Sequence, residues 1–194
     1  LRLYFTKKRQ KREMKILLID FYDSFTFNLK HYLECENRVV DVIRHDMIGE
    51  IELLDSYSHI ILSPGPGLPM EKTNMLEIIS FCENRIPLLG VCLGMQAIGI
   101  YLGGTLKNMD NISHGVSKTL IVVNRDASLF QGLPKKMEVG LYHSWAIFDI
   151  GEDFIDARLA DDCVMAISDP SRKLFGLQFH PESVLSQYGR EMLN

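Results

Sequence analysis

The sequence predicts an α/β fold: a doubly wound, mostly parallel sheet with helices on both faces and a small additional antiparallel region. Two observations predict it. Short apolar runs alternate with segments of helical periodicity over residues 15–101, and strands separated by helices imply right-handed crossovers and a parallel sheet. From about Ile112 the chain carries shorter β-like stretches divided by turn signals, which favours antiparallel pairing.

The elements of the parallel part follow one another in the first half of the chain. Apolar runs predict strands at residues 15–19, 39–43, 60–62 and 88–90. Helical spacing of apolar residues predicts helices at residues 25–34, 74–82 and 93–101, with Asp23 or Ser24 as the N-cap of the first. Because ligands bind at the carboxyl ends of the strands in such folds, the loops after the strands should hold the functional residues.

The second half predicts strands at residues 120–123, 137–139, 164–167 and 174–179. Turn signals separate them, such as Asn124-Arg125-Asp126 and Asp169-Pro170-Ser171. The sequence shows no internal repeat. We therefore interpret these four predicted strands as an antiparallel region added to the parallel part of the same domain.

Composition excludes several classes of function. The chain has 194 residues, 46% of them hydrophobic and 24% charged, with a net charge of −4, which suits one globular domain and argues against nucleic acid as the main partner. There is no apolar run of about 18 residues, so no membrane span is expected. The four cysteines show no C-x-x-C spacing, which indicates neither a zinc site nor a disulfide framework and suits a free thiol in a reducing cytoplasm.

Residues 1–13 differ from the rest of the chain in charge. They hold six Lys or Arg residues and one acid, a net charge of +5, which leaves −9 for residues 14–194 and sums to the total of −4. They show no helical apolar stripe and no signal-peptide core. We interpret them as a disordered basic extension and residues 14–194 as the folded domain, with a basic interaction tail as the alternative.

Gly90-Val91-Cys92-Leu93-Gly94 follows the apolar run that ends at Leu89 and is typical of a nucleophile elbow. In such a strand-to-helix turn the backbone of the nucleophile is strained and its neighbours approach closely, so glycine is needed two residues to either side. A helix beginning at Leu93 would place Cys92 at its positive end, which favours a thiolate. Cys92 is therefore the candidate nucleophile.

His180-Pro181-Glu182 closes the last predicted strand and supplies the candidate base. Residues i and i+2 at a strand end point to the same side, so Glu182 is expected to reach His180 and set its tautomer. The arrangement predicts a Cys-His-Glu triad, although isolated cysteines are more often buried apolar residues.

Ser63-Pro64-Gly65-Pro66-Gly67 follows the third strand. The block lacks the Gly-Lys-Ser/Thr of a phosphate-binding loop. Its prolines restrict φ and its glycines expose N–H groups, which suits the presentation of backbone donors to a carbonyl oxygen. A tight strand-to-loop connection is the plainer interpretation.

With these motifs in place, the chain resembles the triad-type (class I) glutamine amidotransferases, and among them the glutaminase subunits of anthranilate synthase and aminodeoxychorismate synthase. The resemblance runs from Met14 to the end. It rests on blocks in the family's order, which are residues 18–26, Ser63-Pro64-Gly65-Pro66-Gly67, residues 90–96, Tyr142-His143-Ser144 and residues 176–183.

The resemblance implies a flavodoxin-like core and a role for each matching residue. Cys92 would attack the side-chain amide of L-glutamine, His180 would transfer protons and Glu182 would orient His180. The loop of Gly65, Pro66 and Gly67 would form the oxyanion hole, through the N–H groups of Gly67 and Leu93. Three further positions would hold the amino-acid end of the substrate, namely Gln96 and the backbone of Ser144 and Trp145.

The family also implies that this subunit needs no metal or organic cofactor, and that its partner is a chorismate-binding synthase subunit. Two positions depart from the family's usual pattern: Phe21 stands where Asn is common, and Leu141 where Arg often precedes the Tyr-His-Ser block. Two other functions stay open. One is a cysteine hydrolase of the same fold acting on peptides or γ-glutamyl conjugates, and the other is a catalytically silent regulatory subunit.

Overall fold

The computed structural model describes residues 14–35 and 38–193. Residues 1–13, where the sequence predicts a disordered extension, lie outside the described residues. None of the described helices is long and apolar enough to cross a membrane.

One sheet of nine strands runs through the described part of the chain, in the order β2-β1-β3-β4-β9-β8-β7-β5-β6. Strands β2, β1, β3, β4 and β9 pair in parallel, whereas β8, β7, β5 and β6 pair antiparallel. The strands are β1 Lys15–Asp20, β2 Val39–Arg44, β3 His59–Leu62, β4 Leu88–Val91, β5 Thr105–Val122, β6 Lys136–Phe148, β7 Ile155–Arg158, β8 Val164–Asp169 and β9 Leu174–Leu177. The fold is therefore the predicted α/β class, and its antiparallel strands extend the same sheet.

The helices cover both faces of the parallel part. They are α1 Thr26–Glu34, α2 Met75–Cys82, α3 Leu93–Tyr101 and the short α4 Gly189–Met192. Alternate residues of β1 enter two separate cores, because successive side chains of a strand point to opposite faces. Ile16 and Leu18 pack with α1, while Leu17 and Ile19 pack on the side of α2 and α3.

Helix α3 is the central helix of the fold. All residues from 93 to 99 are buried, as expected of a helix that is apolar all round and enclosed by other elements. It packs on β4 and β9, so its first turn is held rigidly against the strand ends that precede it.

The antiparallel region is more extensive than the sequence predicts. The stretches expected at residues 120–123 and 137–139 are the ends of the long strands β5 and β6, and β7 is not predicted at all. Register shifts between Asn108 and Ser113 and between His114 and Val116 interrupt the alternation of β5. Such bulges hide the period of two on which strand prediction depends.

The predicted N-cap of α1 is wrong. Phe25 occupies that position and makes no side-chain capping bond. Asp20 and Asp23 together organise this turn: Asp20 Oδ1 accepts hydrogen bonds from the backbone N–H groups of Tyr22 and Asp23 and from the Thr26 hydroxyl, and Asp23 Oδ1 accepts one from the Phe25 N–H. A carboxylate at the end of β1 thus joins the strand to the helix.

Candidate active site

The motifs singled out in the sequence meet at one edge of the sheet. Cys92 follows β4, and the two parallel neighbours of β4 are β3 and β9. The loop of residues 63–67 follows β3, and residues 178–182 follow β9. Because the carboxyl ends of parallel strands share an edge, the sheet order itself brings these three segments together.

The elbow at Cys92 has the expected strained backbone. Cys92 has φ +50° and ψ −99°, a conformation that non-glycine residues rarely adopt. A Cβ at Gly90 would clash with the backbone of Gly94, and one at Gly94 would lie 2.7 Å from the carbonyl oxygen of Leu62. Both glycines are therefore required by close backbone approach, and the turn places Cys92, which is 8% exposed, at the start of α3.

His180 and Glu182 form a buried pair beside this turn. The Nδ1–H of His180 donates to Glu182 Oε1 at 2.7 Å, and each residue is 2% exposed. The contact agrees with the sequence prediction, but the reason is different: β9 ends at Leu177, and Glu182 reaches His180 through a turn in which the Ser183 N–H donates to the His180 carbonyl. A turn, and not strand alternation, brings the carboxylate back to the ring.

The second ring nitrogen of His180, Nε2, is buried and makes no hydrogen bond of ordinary geometry to any described residue. The Cys92 sulfur is nevertheless near enough to affect the protonation of the ring. Burial by itself lowers the pKa of His180, but the Cys92 sulfur and the Glu182 carboxylate raise it to about 10. The site therefore favours the protonated form of the His180 ring beside Cys92.

Two aromatic rings cover the imidazole of His180. The Phe25 ring centroid lies 5.6 Å from that of His180 and the Tyr142 centroid 5.0 Å, both edge-on. Tyr142 also contacts Phe25, and its hydroxyl lies 3.1 Å from Ser183 Oγ. These contacts limit the access of water to the ring and hold its orientation.

The loop after β3 is held against the elbow from the other side. Ser63 Oγ accepts a hydrogen bond from the Phe21 N–H at 2.9 Å. A Cβ at Gly65 would lie 2.7 Å from the Phe21 carbonyl oxygen and 2.9 Å from Leu93 Cδ2. Phe21, which departs from the family pattern, therefore packs directly under this loop. Pro66 lies between Gly65, which this close packing requires, and Gly67, which has a positive φ.

Gly67 has φ +79°, and Glu71 Oε2 accepts the next N–H, that of Leu68, at 3.0 Å. Neither the Gly67 N–H nor the Leu93 N–H donates to a described residue. Two backbone donors are thus left without a partner among the described residues, one in the loop after β3 and one at the first residue of α3; their role as an oxyanion hole stays a prediction.

Gln96 of α3 and the segment of β6 around Trp145 form a further wall of the site, here called the third wall because the elbow and the loop after β3 form the other two. Gln96 is 4% exposed, and its Nε2 donates to the Trp145 carbonyl oxygen at 3.0 Å. Ser144 has no partner residue in the β5–β6 ladder, because the register of β5 shifts between Asn108 and Ser113. This irregularity leaves Ser144 outside the regular pairing, whereas Trp145 pairs with Asn108 and presents its carbonyl to Gln96.

His143, which precedes that segment, is buried and its Nδ1 lies 2.9 Å from the Trp145 carbonyl oxygen. Burial lowers its pKa, and the nearby His180 lowers it further. His143 is thus a neutral ring whose Nδ1–H fixes the direction of the Trp145 carbonyl. The other departure from the family pattern, Leu141, is fully buried in the core of the antiparallel region.

Gln178 is the residue of this site that the sequence analysis did not single out. It is completely buried, and its Nε2–H lies 3.5 Å from Cys92 Sγ. Its position two residues before His180 is the only sequence signal that could have drawn attention to it. Strand alternation beyond Leu177 does not predict this contact, because the strand has already ended.

Two observations bear on other kinds of site. Among the described residues, no group of three or more His, Cys, Asp or Glu side chains could hold a metal ion. A cavity of about 420 Å³ lies at the opposite end of the parallel strands, near Met14, His59 and Pro87, and none of the predicted site residues lines it.

Comparison with known proteins identifies the family of this chain. The family model described as glutamine amidotransferase class-I matches residues 17–194. A putative anthranilate synthase component II from Haemophilus influenzae is 38% identical over 185 residues, covering 93% of this chain and 94% of the relative. An aminodeoxychorismate synthase from Streptomyces griseus is 39% identical over 184 residues, covering 93% of this chain but 25% of the relative.

Solved structures show the same fold. A putative GMP synthase subunit from Thermoplasma acidophilum superposes with a TM-score of 0.80 at 26% identity, covering 93% of this chain and 90% of the other. A glutamine amidotransferase from Thermotoga maritima superposes with a TM-score of 0.73 at 21% identity, covering 88% and 76%, which is evidence for the fold alone. The match over residues 17–194 and the identity to whole-length relatives place this chain in the class-I glutamine amidotransferase family, as a glutaminase-type enzyme.

Proposed function

We propose that this chain hydrolyses L-glutamine to glutamate and ammonia through Cys92, His180 and Glu182, and delivers the ammonia to a chorismate-binding synthase subunit. The product of the complex would be anthranilate, 4-amino-4-deoxychorismate or both. The observation that carries the proposal is the buried His180–Glu182 pair, joined at 2.7 Å, beside a cysteine in a strained elbow.

In the first half of the reaction the Cys92 sulfur attacks the side-chain amide carbon of glutamine. The negative charge that develops on the amide oxygen is stabilised by the N–H groups of Gly67 and Leu93. His180, which is protonated while its pKa stays near 10, gives its Nε2 proton to the departing nitrogen. Ammonia leaves, and a γ-glutamyl thioester with Cys92 remains.

In the second half water attacks the thioester carbon. The now neutral His180 takes a proton from that water, the carbon–sulfur bond breaks and glutamate is released. Glu182 keeps Nδ1 protonated throughout, so that Nε2 is always the nitrogen that exchanges the proton. The thiolate and the imidazolium are restored together.

Substrate binding is assigned to the third wall of the site. Gln96 Oε1 accepts no hydrogen bond from a described residue, so it is available to the α-ammonium group of glutamine. The backbone of Ser144, which has no partner in the β5–β6 ladder, and of the adjacent Trp145 would offer N–H groups for the α-carboxylate. A site that recognises both charged groups of a free amino acid favours glutamine over an internal peptide bond. A γ-glutamyl conjugate carries the same two groups, so glutamine is separated from it by the group that leaves the γ-carbon and not by this wall of the site.

The partner is inferred from the relatives. Several bacterial relatives that match most of this chain are named anthranilate synthase component II or component 2, and the Streptomyces griseus aminodeoxychorismate synthase carries the matching segment within a longer protein. Ammonia made by this chain would then be used by a separate subunit that binds chorismate. The chemistry of the partner decides which product forms.

The experiment is a comparison of glutamine and ammonia as nitrogen sources. The chain is mixed with a chorismate-binding synthase subunit, and glutamate release and the aromatic amine are both measured. Cys92→Ser is expected to abolish the glutamine-dependent reaction and to leave the ammonia-dependent reaction intact, since a hydroxyl does not replace the thiolate here. Cys35→Ser, which changes an exposed thiol, is the matched control and should keep both activities.

Full glutaminase activity in Cys92→Ser would exclude the proposed nucleophile. Loss of the ammonia-dependent reaction in that variant would contradict the division of labour between subunits. No glutamate release by the unaltered chain, with or without partner, would favour the silent regulatory subunit.

A further inference from the structure

We infer that the Gln178 side chain stabilises the Cys92 thiolate as a dedicated hydrogen-bond donor, and that its orientation is set by a chain of hydrogen bonds starting at the Trp145 carbonyl. This inference rests on the proposed function and deepens it, because it assigns a residue that acts on the nucleophile itself. The bonds that carry it join Trp145 to Gln96, Gln96 to Gln178, and Gln178 to Cys92.

The donor and acceptor in each of these hydrogen bonds follow from the first acceptor, the Trp145 carbonyl. A backbone carbonyl can only accept hydrogen bonds, so the Gln96 atom 3.0 Å from the Trp145 oxygen must be the Nε2 donor. The same NH₂ group lies 3.2 Å from the Gln178 amide, which must therefore present its Oε1 there. The remaining end of the Gln178 amide, the NH₂, lies 3.5 Å from Cys92 Sγ.

The alternative orientation of Gln178 would place like groups against each other. If its amide were reversed, Oε1 would face the Cys92 thiolate and NH₂ would face the NH₂ of Gln96, so both contacts would lose their hydrogen bonds. Gln178 is completely buried and Gln96 is 4% exposed, so water has little access to compensate the unpaired groups. The amide is thus held with its donor towards the sulfur.

A donor in this position acts on the charged form of the nucleophile. A hydrogen bond to an ionised group is roughly twice as strong as one between neutral groups, so Gln178 favours the thiolate over the thiol. His180 acts on the same sulfur through its charge, but its Nε2 makes no hydrogen bond of ordinary geometry in the described structure, so Gln178 supplies the directed donor. Gln178 also connects the sulfur to Gln96, the residue to which glutamine binding is assigned.

The test measures the reactivity of the sulfur directly, without glutamine or a partner. The rate of alkylation by iodoacetamide is followed from acid to alkaline pH in a Cys35→Ser background, which removes the exposed thiol. The two other thiols are buried, and burial raises the pKa of Cys82 to about 12 and that of Cys163 to about 11. Cys92→Ser in the same background gives the residual rate.

Gln178→Met keeps the length of the side chain and removes the donor. Near neutral pH the alkylation of this variant is expected to be about tenfold slower than that of the unaltered protein. The reason is that the loss of one hydrogen bond to a charged group destabilises the thiolate relative to the thiol. The two rates should converge at alkaline pH, where the sulfur is ionised in both. A change in packing or access alone would instead slow the reaction equally at every pH. Gln131→Met, at an exposed glutamine, is the matched control and should react as the unaltered chain does.

Gln96→Met tests the orienting role and covers the case in which Gln178→Met does not fold. It leaves Gln178 in place but removes the donor that fixes its amide, so a smaller slowing near neutral pH is expected. Unchanged neutral-pH alkylation in a folded Gln178→Met, or in Gln96→Met if only that variant folds, overturns the inference. Failure of the proposed function is distinguishable, since it would appear as absent glutamate release while the alkylation rates still differ.

Discussion

Replacing the Glu182 carboxylate with an amide should move the alkaline limit of activity to lower pH. The Nδ1–H of His180 donates to Glu182 Oε1 at 2.7 Å in a buried setting, and this carboxylate helps to raise the pKa of His180 to about 10 against the opposing effect of burial. Glu182→Gln keeps the size of the side chain and an acceptor oxygen, but removes the charge that stabilises the imidazolium. The proton on His180 is then lost at lower pH.

The size of the shift follows from the strength of the contact. A hydrogen bond to a charged group contributes about 1.5–3 kcal/mol, and one pH unit corresponds to about 1.36 kcal/mol, so the pKa of His180 should fall by roughly 1–2 units. The alkaline limb of kcat/KM, which reports the free enzyme, should move down by the same amount.

The same change affects stability, with a definite sign. The pKa of His180 is raised on folding from 6.5 to about 10, so the protonated ring stabilises the fold fully below about pH 6.5, and this contribution is lost as the pH rises through about 10. Glu182→Gln should therefore lower Tm most below pH 6.5 and least at strongly alkaline pH.

The assay is glutamate release in the presence of the synthase partner, measured as kcat/KM across the pH range, together with thermal unfolding at the same pH values. Glu52→Gln changes net charge equally at an exposed position and should leave both profiles unaltered. An alkaline limb in Glu182→Gln at the same pH as in the unaltered chain would refute the assignment of the charge effect to Glu182.

Three further predictions concern the fold. Gly90→Ala should lower stability by about 3 kcal/mol or more, and Tm by about 6 °C or more, because its Cβ would clash with the backbone of Gly94; Gly49→Ala, whose Cβ meets open space, should change Tm little in the same thermal scan. Burial raises the pKa of Asp156, so its ionised form opposes folding above that pKa; Asp156→Asn should raise stability and Tm near neutral pH in the same thermal scan, and the gain should disappear on acidification. A chain that begins at Met14 should keep its Tm and glutaminase rate, since residues 1–13 carry no apolar periodicity, and a large loss of either would show that they bind the fold or the partner.

Two departures from the sequence prediction have separate causes. The sequence predicts the N-cap of α1 at Asp23 or Ser24, yet Asp20 helps to organise that turn from the end of β1. It predicts only short stretches of the long strands β5 and β6, because bulges break their alternation. In the first case the contact comes from a residue that precedes the predicted cap, and in the second the pairing with β6 holds residues whose local pattern is irregular.

The sequence by itself determined the fold class and the candidate nucleophile and base. Both depend on local requirements that leave a local trace: the period of strands and helices, and glycines at Gly90 and Gly94 where the backbones approach. Only the tertiary structure decided how Glu182 returns to His180 through a turn, and how the Gln178 amide lies against Cys92. Those contacts depend on β9 pairing next to β4 and on the direction of a carbonyl in β6, and no local pattern encodes which strand pairs with which.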